Sequence, residues 1–208
     1  MRKSHKDQLF EAAFKLFLTR HLDGISIADI EKISGMTRGA VFYHVKSKEE
    51  LFKEVIKYFI LEKQNIKNKI PINNSESFKD FLIQYIEGVE KTMKSMQDII
   101  DELSLSNASR GYLSLILDIS SYDDLAEHIV RLQNNETSKW VTVLYKAIES
   151  KEIRSDIDVM KTAKHFQYIF YGLSYIEACI SGLKIENLKE QFMNLYEIIK
   201  SVSYTHLT

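Results

Sequence analysis

Apolar residues return every three or four positions through most of this chain. That is the spacing of a helix with one buried face, not the alternation of a half-buried strand. Leu9, Ala13, Leu16 and Phe17, with Phe10 and Phe14 beside them, predict an amphipathic helix over 5–20. Ile27, Ile30 and Ile33 give a short second helix its buried face, and Val41 and Val45 carry the same core through a third. Leu51, Val55, Ile56, Phe59 and Ile60 stripe a longer helix over 47–69. Phe81, Tyr85, Val89 and Met93 mark the next, and residues 98–119 are helical in pattern but interrupted from Ser104 to Gly111. Leu125, Ile129, Trp140, Leu144 and Ile148 predict a long helix with a break signalled at Asn134-Asn135. Large apolar groups then run from Phe166 through Ile169, Phe170, Leu173 and Ile176 to Ile180, and a last stripe joins Leu188, Phe192, Leu195, Tyr196 and Ile199. Residues 203–208 continue no apolar pattern and read as a loose tail.

The ends of these helices are written locally. Ser26 with Asp29, Ser47 with Glu50, Ser77 with Asp80 and Ser121 with Asp124 have the spacing of capping boxes. Thr37 and Asp158 are single-residue caps. Gly35 is free to take positive φ and turn the chain between the second and third helices. Pro71 and Asn73-Asn74-Ser75 break the fourth helix and place a domain boundary near residue 71. One proline and seven glycines in 208 residues leave little material for strands and turns. The fold class expected is all-α.

Charge sharpens the division. Residues 1–60 hold 11 Lys/Arg against 8 Asp/Glu, while the remainder holds 17 against 21. A basic N-terminal module on an acidic body suits DNA contact through one end, with Arg2, Lys3 and Lys6 near the backbone. The single cysteine, Cys179, excludes an intrachain disulfide framework and reads as core packing. No apolar run approaches the length of a membrane span and no signal-peptide core precedes the first helix, so a cytoplasmic protein without a membrane partner is expected.

A short helix, a glycine turn and a second short helix are the parts of a DNA-reading helix-turn-helix. The run Ser34-Gly-Met-Thr-Arg-Gly-Ala-Val-Phe-Tyr-His-Val-Lys-Ser-Lys-Glu-Glu-Leu51 resembles the signature of TetR/AcrR-type bacterial transcriptional regulators. The first helix, with Ala12-Ala13 and Phe14, resembles that family as well. The resemblance implies a helix-turn-helix DNA-binding domain over 1–50 with a connecting helix to about 70. It implies a larger helical effector-binding and dimerisation domain over 71–202.

Roles for single residues follow from groove chemistry and from that motif. Arg38 has a guanidinium that can engage guanine O6 and N7 together. Thr37 offers a hydroxyl at a helix start, where a phosphate fits. Gly39 allows close backbone approach, Ala40 can meet a thymine methyl, and Tyr43 can reach a base edge or a phosphate. Lys48 matches the family's phosphate-contacting lysine, and Ser26 and His44 complete the expected DNA-binding set. Phe42 replaces a tyrosine whose hydroxyl is implied to bind phosphate, so that contact is expected to be absent; Tyr43 next to it offers a substitute hydroxyl on a different face of the helix. Glu31 stands where the family usually has alanine and the two short helices pack closely, so its stem must swing outward or the packing must loosen. His21 replaces a glycine in the loop after the first helix.

For the body the resemblance implies a homodimer formed through a four-helix bundle. Phe166, Phe170, Leu173, Ile176, Phe192 and Tyr196 are the expected interface residues. It also implies a small-molecule effector. Phe78, Tyr85, Met93, Trp140, Tyr168 and Tyr175 are the expected lining of its cavity. The function expected is a sequence-specific regulator, a repressor on a palindromic operator that an effector releases; the alternative is a helical interaction protein that keeps the fold without specific DNA binding. An enzyme is the poorer reading. No histidine has a glutamate three residues before it, and no His-x-x-x-His pair, Walker A loop or Gly-x-Gly-x-x-Gly loop occurs. No cofactor or metal is expected.

Overall fold

The structure is a computed structural model that describes residues 4–62, 75–100 and 105–201. The expected break from Pro71 to Asn74, the basic pair Arg2 and Lys3, and the tail from Ser203 lie outside the described residues. Among the described residues there are nine α-helices and no strand. They are α1 (His5–Thr19), α2 (Ile27–Ser34), α3 (Arg38–His44), α4 (Lys48–Ile56), α5 (Phe78–Ile100), α6 (Leu105–Ile119), α7 (Asp123–Glu149), α8 (Val159–Ala178) and α9 (Ile185–Ile199). A 3₁₀ turn, Leu22–Gly24, links α1 to α2, and α4 runs on into a π-type segment, Lys57–Glu62. None of the described helices is long and apolar enough to cross a membrane.

Most caps form as their spacing predicts. Ser26 and Asp29 make a reciprocal box at the start of α2, Thr37 accepts from the Ala40 N–H, and Asp158 accepts from the Lys161 N–H. The Ser77 hydroxyl accepts from the Asp80 N–H before α5. Ser47 accepts from Glu50 N–H, but the Glu50 carboxylate takes the Lys46 N–H instead of closing the box on Ser47. The box expected of Ser121 and Asp124 does not form. Helix α7 starts at Asp123 after an uncapped Tyr122, because Asp124 is bonded at 2.8 Å to Lys53 of α4.

Two hydrophobic cores organise the chain. The first gathers Leu9, Phe14 and Phe17 of α1, Ile30, Val41, Val45, Leu51, Phe52 and Val55, and closes with Phe59 stacked on Phe14 at 4.3 Å. Leu115 and Ile119 of α6 and Leu125 of α7 are part of it, so the body reaches into the core beneath the reader. The second core is aromatic: Phe78, Phe81, Tyr85, Trp140, Phe166, Phe192 and Tyr196 pack together, with Trp140 and Phe166 stacked at 5.0 Å. Glu152 staples this half. Its carboxylate accepts the Phe78 and Lys79 N–H groups at the start of α5, where an anion offsets the exposed backbone donors, and also the Tyr196 hydroxyl.

Several expectations are corrected. The stretch from Leu105 to Gly111 is helical, not interrupted. Gly111 is there for a crossing: a Cβ on it would lie 1.9 Å from the Leu18 carbonyl oxygen of α1. Asn134-Asn135 does not break α7, which is held through that region by buried Leu125, Trp140 and Leu144 on one face. Ile33 is 48% exposed, while Ile27 packs on the core as its spacing predicts and Met36 joins it. Cys179 is exposed at the end of α8.

Three of the six expected interface residues, and the expected cavity, are corrected as well. Phe166, Phe192 and Tyr196 are buried inside the protomer and have no surface to give a partner, whereas Phe170 and Leu173 are half-buried and Ile176 is exposed. Phe78, Tyr85 and Trp140 fill the second core with ring-to-ring contacts instead of lining a space. Met93 packs against them, and Tyr168 and Tyr175 point outward at 63% exposure each.

Candidate nucleic-acid interface

Helix α3 lies across the first core with Val41 fully buried, so its opposite side is fixed toward solvent. Gly35 makes the turn before it at φ 69°, a left-handed conformation that glycine adopts without strain. Thr37, Arg38, Gly39, Phe42 and Tyr43 are exposed, and Ala40 and His44 are half-buried at the edges. Tyr43 is the most open of them at 85%. The expected readers therefore share one surface.

Their partners differ in what they leave free. The Arg38 guanidinium lies 5.7 Å from the centre of the Phe42 ring, a cation–π contact one helical turn apart that holds the side chain along the exposed face. Phe42 lacks the phosphate-binding hydroxyl but orients Arg38. Thr37 uses its oxygen as an acceptor for the helix start and keeps its hydroxyl proton. The Tyr43 ring meets His44 edge-on at 5.2 Å.

Two of the expected contacts are already engaged. Ser26 donates its hydroxyl to Asp29 at 2.6 Å and accepts from the Asp29 N–H. The Ser26 hydroxyl and then the Ser26 N–H, both donating to the carboxylate and helped by Arg20, hold the Asp29 carboxyl below the usual carboxylate range. Lys48 donates from Nζ to the carbonyls of Leu22 and Ile25 at 2.8 and 2.9 Å, which ties α4 to the 3₁₀ turn and leaves one N–H for anything outside. Position alone could not distinguish such a clamp from a free cation.

Gly39 carries information of another kind. Nothing lies within 4 Å of where its Cβ would stand, so no neighbour inside the protein requires a glycine there. Glu31 is the opposite case: it is half-buried and its Oε1 is enclosed without a hydrogen-bond partner among the described residues. An enclosed oxygen without a donor costs about 1–3 kcal/mol. Glu31→Ala is therefore expected to stabilise the protein by about 1 kcal/mol, read as a higher midpoint in thermal unfolding. A lower midpoint would mean that the glutamate stem contributes more by packing than its carboxylate costs.

In the body, sequence reasoning overlooked Glu136. It sits in the hydrophilic run Asn134-Asn135-Glu136 and is nevertheless 7% exposed. Tyr85 and Tyr171 donate to its two oxygens at 2.7 and 3.1 Å. The available signal was its place one turn before Trp140, on the same helix face.

Comparison with known proteins agrees with this geometry. Residues 9–55 match the family model for bacterial regulatory proteins of the tetR family. The chain is 26% identical over 168 residues to the HTH-type transcriptional repressor KstR2 of Mycolicibacterium smegmatis, covering 75% of this chain and 71% of that one. It is 27% identical over 104 residues to the HTH-type transcriptional regulator AcrR of Shigella flexneri, covering 46% of this chain and 47% of the relative. Among solved structures, a TetR-family transcriptional regulator from Cytophaga hutchinsonii superposes with a TM-score of 0.69 at 18% identity, over 98% of this chain and all of that one. The ketosteroid transcriptional regulator KstR2 of Mycobacterium tuberculosis gives 0.63 at 17% identity, over 97% and 98%.

Proposed function

From its membership of the TetR/AcrR family of DNA-binding transcriptional regulators, we propose that the chain binds a palindromic operator as a homodimer in the bacterial cytoplasm, represses the genes beside it, and releases DNA when a small-molecule effector occupies its body. The observation that carries this reading is the surface of α3. Arg38, held by Phe42, reads base edges, Tyr43 and Ala40 flank it, and Thr37 meets a phosphate with its free hydroxyl. Residues up to about 62 form the reader, and those from 75 onward form the body that senses and dimerises.

Two copies would set their α3 helices about 34–36 Å apart, one turn of DNA. An exposed stripe on the body supports such pairing. Tyr168, Tyr175, Ile176 and, just beyond α8, Ile180 lie open on one side with Gly172 between them, and no atom stands within 4 Å of that glycine's missing Cβ. A contiguous apolar surface of this kind marks an interaction site.

The test is a mobility-shift titration with DNA from around the protein's own gene against random DNA of equal length, at several salt concentrations. Preference for the upstream fragment is expected. Equal affinity at every salt would remove specific operator recognition. Gly39 supplies a second check. Gly39→Ala is expected to stabilise the free protein by about 0.5–1 kcal/mol, since alanine is the better helix former and meets no neighbour. The same change should weaken operator binding by placing a methyl where DNA backbone or bases approach. A variant that binds as tightly as the parent would show that DNA does not come near this position.

A further inference from the structure

Glu136 stands at the meeting point of four helices, and every described group that hydrogen-bonds it there is neutral. Tyr85 of α5 donates to Oε1 at 2.7 Å, Trp140 of α7 donates to the same oxygen at a long 3.5 Å, and Tyr171 of α8 donates to Oε2 at 3.1 Å. Tyr112 of α6 lies close enough to feel the charge: burial, and then Glu136, push its hydroxyl up to about 12. The Tyr85 and Tyr171 hydroxyls are raised for the same two reasons, in the same order. No ion pair among the described residues includes Glu136. Neutral donors offset part of the lost hydration of a carboxylate, but they leave its charge in place inside an aromatic shell. Other buried anions of the fold are differently placed. Glu177, for example, accepts the Lys184 N–H and the Asn187 amide at a helix start, where backbone dipoles favour a negative group.

A carboxylate walled by aromatic faces attracts one class of ligand. A positive group gains from the charge and from the rings together, whereas an anion is repelled and a neutral molecule gains from neither charge term. Tyr171 supplies the way in. It is 38% exposed at the surface while its hydroxyl reaches Oε2, so it is the one described donor on the carboxylate that also faces solvent. Deepening the effector-responsive reading above, we propose that Glu136 anchors an organic cation, an ammonium or other onium group on an apolar body, and that such a cation is the effector class this regulator senses. The cation takes the place of the Tyr171 hydroxyl on Oε2, while Tyr85 and Trp140 stay packed on Oε1.

Trp140 is the only tryptophan of the chain and adjoins the carboxylate, so its fluorescence reports the site directly. The purified full chain is titrated with tetraphenylphosphonium and benzyltrimethylammonium, and with tetraphenylborate as an anion matched in size to the first. Saturable quenching by at least one cation, and none by the anion, is expected. Glu136→Gln keeps the shape and an acceptor for Tyr85, and should bind that cation at least tenfold more weakly. If that variant does not fold, Tyr171→Phe at the half-exposed position carries the test: it frees Oε2 and should tighten cation binding a few-fold. Saturable binding of the anion, no binding of either cation, undiminished binding by Glu136→Gln, or unchanged or weaker binding by Tyr171→Phe would overturn the proposal. A shift titration on operator DNA with and without the cation separates the two readings. Loss of specific DNA binding in the untreated protein speaks against the regulator, while a cation that binds at Trp140 but leaves the DNA complex intact speaks only against its being the releasing signal.

Discussion

Gly111→Ala is expected to lower the thermal midpoint by several degrees and to weaken operator binding at the same time. The added methyl would stand 1.9 Å from the Leu18 carbonyl oxygen, 2.8 Å from its carbon and 3.2 Å from its Cα. All three are backbone atoms, so no side chain can rotate out of the way. Either α1 or α6 must move. Forcing extra volume into a packed crossing costs about 1–3 kcal/mol, which for a protein of this size is about 2–4 °C per kcal/mol. The displacement also has a direction. Helix α1 lies under the reader and α6 belongs to the body, and a cleft of about 400 Å³ beside their crossing is lined by Phe17, Arg20, His21, Arg110 and Ser114. A wedge between the two helices tilts one module against the other. Thermal unfolding and the shift assay on the same variant check both effects; an unchanged midpoint would mean that the helices part there without cost.

Arg38→Ala should weaken binding to the operator by about 1–3 kcal/mol and relax the preference at the base pair it contacts. The side chain is exposed, and its one described contact is the Phe42 ring, so folding should be almost unaffected. Binding to random DNA should change far less than binding to the operator. That contrast separates a base reader from a phosphate contact, whose loss weakens all sequences alike and flattens the salt dependence. Competition with operators altered one base pair at a time measures it. Equal loss on operator and random DNA would reassign Arg38 to the phosphate backbone.

What could be read from the chain was local. Ser26 with Asp29, Thr37, Gly35 and Asp158 each act within a few residues, and their spacing carries their geometry. The stripes of α1 and α4 were equally plain, since every large apolar group in them faces one core. Features that depend on what arrives from elsewhere were not legible. The Asp124 carboxylate, in the first turn of α7, is taken by Lys53 from 71 residues away instead of closing a box on Ser121. Periodicity marks Phe166 and Phe192 as buried but does not say whether their own chain or a second copy covers them; their own chain does. Lys48 sits where the motif puts a phosphate contact, and the carbonyls of Leu22 and Ile25 hold most of its donors. Glu136 lay hidden among polar neighbours because three of its partners come from other helices.

The first core has a consequence for anyone recombining these proteins. Leu115, Ile119 and Leu125 come from α6 and α7, yet they complete the core packed beneath α2, α3 and α4. A fragment ending after α4 would bare the apolar patch that those three side chains cover, and would be prone to self-association. A reader grafted onto another relative's body would meet a floor shaped for different side chains. A successful exchange of operator specificity would therefore alter the exposed face of α3 in place, or carry α6 and the start of α7 with it.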